Sequence, residues 1–171
     1  MQQIRIEQAV DIAAHADVVW HALVDEPSAW WGKPYLLLEG MLPGMPCVIE
    51  LPLRAGEAVL EHAGDASALW GVVTECVPGA SYAWRGQMGM GDNVEGHVRL
   101  VLEPRPRGTR VSLVHEAALL WGDGGGADGV QRSYDEGWAD LLARLKALVE
   151  TGARHGSAGL SAPVAPAARG Q

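Results

Sequence analysis

Residues 4–12 follow a period of two. Ile4, Ile6, Val10 and Ile12 share one parity, with mostly polar side chains between them, the period-2 mark of a strand buried on one face. Over residues 14–25 the period changes, and Val19, Ala22 and Leu23 recur at helical spacing. Asp17 falls in the first turn, where the helix dipole favours an acid. Pro27 is expected to end that helix, with a short second helix over 28–32. From 33 to 118, short runs rich in Val, Leu, Trp and Tyr alternate with turn residues such as Pro43-Gly44, Pro78-Gly79 and Pro106 to Gly108. They predict strands over 34–40, 47–53, 57–63, 68–77, 80–87, 93–104 and 109–119. The links are too short for parallel crossovers, so neighbours must be antiparallel. Val94, Gly96, Val98, Leu100 and Leu102 face one way, and Val111, Leu113, His115 and Ala117 form the matching inward set of the last strand. Tyr82 and Trp84 share a parity, and the alternation leaves open which face of the sheet they occupy.

After a glycine-rich stretch, residues 122–129, comes one long helix. Asp128 and Gln131 have the spacing of a capping box, and Gly152 stands where a C′ glycine belongs. Between them Val130, Tyr134, Trp138, Leu141, Leu142, Leu145, Leu148 and Val149 form one apolar stripe. Arg132, Asp135, Asp140, Arg144 and Lys146 lie mainly off it. Only the sheet offers a large apolar partner for that stripe. The expected fold is therefore α+β: a curved antiparallel sheet gripping a long C-terminal helix, with two short helices plugging one end. Sheet and helix cannot close perfectly over ~35 Å of helix, and the space left between them is the default ligand site.

Composition narrows the function. The 171 residues suit one domain, 1–151, followed by a tail, 152–171, whose Ala, Gly, Pro and Ser cannot repay the entropy of ordering. The net charge of −8 argues against nucleic acid and anionic membrane surfaces, which select for Lys and Arg. No stretch approaches the ~18 apolar residues of a membrane span. Arg5, Glu7, Asp11 and Asp17 break up any signal-peptide core. The two cysteines, Cys47 and Cys76, have no redox or metal spacing, so a cytoplasmic location is expected. There is no Phe, yet there are seven Trp. Trp has either taken over the aromatic core or lines a ligand cavity, and the two are compatible.

Candidate chemistry is sparse. The six histidines show no metal-ligand spacing, and no metal or cofactor is expected. Gly-x-Ser-x-Gly is absent. The glycine-rich stretch lacks the Lys and Ser/Thr of a phosphate loop and reads as a flexible link or a gate over the cavity mouth. His115 shares parity with Val111 and Leu113, so its ring points inward, where it can bind or protonate a ligand carbonyl. The plainer role is a core histidine bonded to a backbone carbonyl or a tyrosine. Glu116 points to the opposite, solvated face. Tyr134 and Trp138 stand one helical turn apart with Gly137 beside them. A mid-helix glycine costs ~1 kcal/mol relative to Ala, offset either by close approach of helix to sheet or by room for a ligand. The expected ligand-facing set is Tyr82, Trp84, Val98, Leu100, Leu113, His115, Tyr134, Gly137, Trp138 and Leu141, with His115 and Tyr134 as the catalytic candidates.

The stretch Val18-Val19-Trp20-His21-Ala22-Leu23 followed by Trp30-Trp31-Gly32 resembles the opening helix pair of the START / Bet v 1-like helix-grip superfamily. Within it the chain is most similar to the branch named after the activator of the Hsp90 ATPase. Further echoes follow in order: Gly71-Val72-Val73-Thr74-Glu75, Tyr82-Ala83-Trp84, Gly108-Thr109-Arg110-Val111, Val114-His115-Glu116 and Glu136-Gly137-Trp138. The resemblance covers roughly residues 4–150. It implies a helix-grip fold and a cavity for a small hydrophobic molecule such as a lipid or polyketide, with a homodimer as a possible assembly. Alternatives on the same fold are a cyclase or hydratase using His115 with Tyr134, and a chaperone-interacting module working through its convex acidic face. The eukaryotic co-chaperone of the branch also carries a separate N-terminal domain, for which this chain has no room. An enzyme should bring two or more polar side chains together in the cavity, and a binding protein one or none. An interaction module should show a closed cavity and a broad exposed apolar patch.

Overall fold

A computed structural model of the chain describes residues 2–87, 94–119 and 126–155. Strand β1 (Gln2–Ile12) leads into helix α1 (Ala16–Val24), two short helices, α2 (Pro27–Trp30) and α3 (Leu37–Met41), and then six strands. These are β2 (Val48–Glu50), β3 (Ala58–Ala63), β4 (Ala66–Val77), β5 (Ser81–Gly86), β6 (Val94–Arg105) and β7 (Gly108–Leu119), followed by the long helix α4 (Gly126–Thr151). The strands form one antiparallel sheet in the order β1-β7-β6-β5-β4-β3-β2. The expected α+β helix-grip architecture is the one adopted.

Alternation decides which side chains face the helix. Val94, Val98, Leu100 and Leu102 of β6 and Val111, Leu113, His115 and Ala117 of β7 are all buried. The register aligns Trp84 with Val98, Val98 with His115 and His115 with Ile6, a row across four strands under the helix. Tyr82 and Trp84 belong to this buried inner face, which settles the open question of their orientation. Curvature comes from register shifts in β3–β4 and β4–β5, since an extra residue bends the strand that carries it. Gly71 and Gly86 let β4 and β5 touch at the bend: a Cβ on Gly86 would lie 2.4 Å from the Gly71 Cα.

Helix α4 buries Trp138, Leu141, Leu142, Leu145 and Leu148. It is tied to β1 at both ends: Gln8 Nε2 donates to Asp135 Oδ1 at 2.7 Å, and Lys146 Nζ to the Asp11 carbonyl at 2.6 Å. Gly152 closes the helix with φ of +73° and an N–H bond to the Leu148 carbonyl, the glycine stop expected there.

Four local expectations are corrected. Residues 34–40 are not a strand: Pro34 removes a ladder donor, and the Leu37 and Leu38 amides turn inward to a buried carboxylate, starting α3 instead. The strand expected over 47–53 shrinks to Val48–Glu50, between Pro46 and Pro52. Pro27 opens α2 at its first position rather than ending α1, since a missing N–H costs nothing there. The long helix begins at Gly126, so Asp128 lies inside its first turn and is not its cap. The expected link or gate over 122–129 is therefore helical from Gly126 on, and 122–125 fall outside the described residues. So does most of the expected tail. Its first residues turn back onto α2, where the His155 N–H donates to the Ala29 carbonyl at 2.7 Å and Arg154 pairs with Glu26 at 2.8 Å.

Candidate functional site

A cleft of about 240 Å³ opens between α4 and the segment from Pro34 to Leu37. On the helix side it is lined by Tyr134, Gly137, Trp138 and Leu141, with Ser133 at the rim. Opposite stand Pro34, Tyr35, Leu36 and Leu37, and the indoles of Trp31 and Trp70 complete the wall. Five tryptophans pack into one continuous cluster here. Trp31 touches Trp30, Trp70, Trp84 and Trp138 with ring centroids 5.2–5.8 Å apart, the offset and edge-to-face range aromatic pairs prefer. Trp30 and Trp84 fill core, while Trp31, Trp70 and Trp138 also line the cleft.

The segment from residue 33 to 38 is a strap fastened on both sides. Toward the helix, Arg144 Nη1 donates to the Lys33 carbonyl at 2.7 Å, the Tyr35 hydroxyl donates to Asp140 Oδ2 at 2.8 Å, and the Arg144 guanidinium lies 5.2 Å over the Tyr35 ring. Toward the sheet, Glu61 is fully buried on β3. Its carboxylate accepts from the Leu37 N–H at 2.9 Å, the Leu38 N–H at 2.7 Å and the Trp70 Nε1–H at 2.9 Å. One carboxylate thus holds a turn of the strap and an indole of the cleft wall together. Arg144 is no surface residue: only 16% of its side chain is exposed, because the strap covers the face that periodicity assigns to solvent.

At the other end, the Trp138 Nε1–H donates to His115 Nδ1 at 3.0 Å. His115 is fully buried and packs edge-on against the Tyr134 ring, centroids 4.6 Å apart. Burial, with a smaller push from His97, lowers its pKa to about 4, so the ring is neutral at pH 7. Burial also raises the Tyr134 phenol well above its ordinary range. The histidine's partner is an indole, rather than the backbone carbonyl or tyrosine expected.

The ten ligand-facing candidates thus divide in two. Tyr134, Gly137, Trp138 and Leu141 line the cleft. Tyr82, Trp84, Val98, Leu100, Leu113 and His115 sit behind it in the packed core, and Tyr82 spends its hydroxyl on the Pro52 carbonyl at 2.8 Å. Gly137 lies at the cleft against the strap rather than the sheet: a Cβ there would meet the Tyr35 ring at 3.2 Å. Its close approach is to the strap. Glu116 is exposed and pairs with Arg5 on the outer face. Trp31, Tyr35 and Trp70 line the cleft and Glu61 braces it, and hydrophobic periodicity does not single them out. Glu61 does leave a trace, since it shares parity with the buried Val59 and Ala63, a carboxylate among inward positions. Among the described residues no group of three or more His, Cys, Asp or Glu converges, and no helix is long and apolar enough to cross a membrane.

Residues 13–150 match the family model for activator of Hsp90 ATPase homolog 1-like proteins. The chain belongs to that family. No curated protein matches it. Among solved structures, a protein from Chromobacterium violaceum superposes with a TM-score of 0.62 at 21% identity, covering 86% of this chain and 98% of its own. The Aha1 dimer from Colwellia psychrerythraea gives 0.60 at 19% identity, with 87% and 98% covered. DynU16, from the dynemicin biosynthetic locus, gives 0.61 at 19% identity; 88% of this chain is covered, which spans about half (49%) of that longer protein. At such identities the likeness is one of fold.

Proposed function

We propose that this family member binds a small, largely apolar molecule in the cleft between α4 and the strap, within a helix-grip domain spanning 1–151. The contact residues are Tyr134, Gly137, Trp138 and Leu141 on the helix, with Trp31, Tyr35 and Trp70 opposite. The observation that carries the reading is the cleft itself, about 240 Å³ walled by three indoles and aliphatic side chains at the junction of helix and sheet, where helix-grip geometry leaves room. The polar groups behind its helix-side wall favour binding over catalysis. Neutral His115 has Nδ1 occupied by Trp138, and the Tyr134 phenol stays protonated, so neither is a general base near neutral pH.

Native mass spectrometry of the freshly purified protein tests this. The expected result is a bound mass of a few hundred daltons that organic extraction removes. Gly137→Leu should lose it, because the new side chain enters the cleft against Tyr35. A wild-type spectrum showing only the bare chain, together with no uptake of a hydrophobic fluorescent probe, would contradict the proposal.

A further inference from the structure

Two buried donors behind the Tyr134–Trp138 wall of the cleft have no acceptor. An indole Nε1–H can only donate, so its bond to His115 Nδ1 requires that nitrogen to carry a lone pair. The single proton of the neutral imidazole is then on Nε2. His115 Nε2 is buried without a hydrogen-bond partner, and so is the hydroxyl of Tyr134. The two rings are in contact, 69° from parallel. Elsewhere in the walls the polar groups are satisfied: Trp31 by the Tyr35 carbonyl, Trp70 by Glu61, Tyr35 by Asp140. A buried donor left unpaired costs ~1–3 kcal/mol, and here two such donors are carried on rings in contact.

We infer that the molecule bound in this cleft carries a neutral carbonyl oxygen on its apolar body, which accepts hydrogen bonds from His115 Nε2–H and the Tyr134 hydroxyl. The inference rests on the ligand-binding reading above. A carbonyl oxygen has two lone pairs and brings no donor of its own, which matches a pair of donors. A carboxylate fits poorly, because the cations near the cleft, Arg144 and Lys33, are at the strap end, and an unpaired buried charge is far more costly than a neutral dipole. His115 lies one layer behind the cleft wall, against Tyr134 and Trp138. For the carbonyl to reach both donors the Tyr134 ring must shift aside, a movement the inference requires. Tyr134 and His115 become specificity-determining residues, selecting ketone- or ester-bearing molecules over hydrocarbons of the same shape.

The test uses two probes of nearly equal shape, 2-acetylnaphthalene and 2-isopropenylnaphthalene, which differ in C=O against C=CH2. Both are titrated into the wild-type protein and Tyr134→Phe, reading tryptophan fluorescence. The His115 Nε2–H resonance is followed by NMR in the wild type. The expected result is a ketone-to-hydrocarbon affinity ratio about tenfold lower in Tyr134→Phe, with the Nε2–H proton moving downfield for the ketone alone. A ratio equal within twofold in the two proteins, or an Nε2–H resonance that ignores the ketone, overturns the inference while leaving the cleft as a ligand site. Failure of both probes to bind up to their solubility limits overturns the ligand-binding reading, and the inference with it.

Discussion

Glu61 and His115 are both ionisable, both fully buried, and both stand behind walls of the same cleft, yet their surroundings differ in kind. Glu61 accepts three N–H bonds from Leu37, Leu38 and Trp70. His115 has one bond, from Trp138, and a second nitrogen with none. A buried acceptor held by several bonds fixes its surroundings, because any movement breaks them at once. A half-satisfied buried group costs free energy and leaves a hydrogen bond unmade. The strap end thus holds its shape, and on the proposed reading the helix end is where a ligand is held.

The contrast is sharpest in what removal should do. Glu61→Leu leaves three donors without their acceptor and frees the strap. It should cost about 3–5 kcal/mol by chemical denaturation, with faster amide exchange at residues 36–38. A loss below about 1 kcal/mol would mean the strap is held by its helix contacts alone. Trp138→Ala should cost a similar ~3–5 kcal/mol, the usual penalty for a buried large aromatic.

Acid should act through the other end. The His115 pKa falls from 6.5 to about 4 in the folded chain. Above pH 6.5 neither state binds this proton, and the group leaves stability unchanged. As pH drops below 6.5 the unfolded chain takes up a proton that the folded chain refuses until about pH 4, so stability falls by about 3 kcal/mol over that window. His115→Gln keeps an acceptor for Trp138 and does not titrate. Its denaturation midpoints should lack this part of the slope, and identical profiles for the two proteins would show that His115 titrates normally.

Smaller effects separate the strap from the open surface. Arg144→Ala removes the bond to the Lys33 carbonyl and the stack on Tyr35, and should cost about 1 kcal/mol. Arg132→Ala, on the exposed face of α4, should stay under ~0.5 kcal/mol. Equal costs would put the strap's fastening elsewhere. Tyr134→Phe should be within ~0.5 kcal/mol of wild type or slightly more stable, because the hydroxyl it deletes is buried without a hydrogen-bond partner. A loss above about 1 kcal/mol would reveal a bonded hydroxyl and remove the contrast with Glu61.

The sheet and long helix were legible in the sequence because alternation and the apolar stripe are statements about burial, and the sheet buries nearly everything they mark. The cleft was legible only on its helix side. Tyr134, Gly137, Trp138 and Leu141 lie on a continuous helix whose spacing fixes their common face. The facing wall comes from residues 33–38, where a run of three leucines after Tyr35 has the composition of a strand. Its conformation is decided by a long-range bond to Glu61, which local periodicity does not carry. The strap also explains why Arg144, polar and off the apolar stripe, is largely covered. The core residues among the candidates, from Tyr82 to Leu113, were expected at the ligand because they face inward. A tryptophan-rich core fills that space first and pushes the opening toward the strap.

The most direct test of the cleft as a ligand site is the set of tryptophan indole N–H resonances during titration with 2-acetylnaphthalene. Trp31, Trp70 and Trp138 line the cleft, whereas Trp20 packs away from it against Tyr82. The expected result is saturable shifts at Trp31, Trp70 and Trp138, with Trp20 unmoved. Shifts absent from those three, or spread evenly to Trp20, would contradict a ligand site between α4 and the strap.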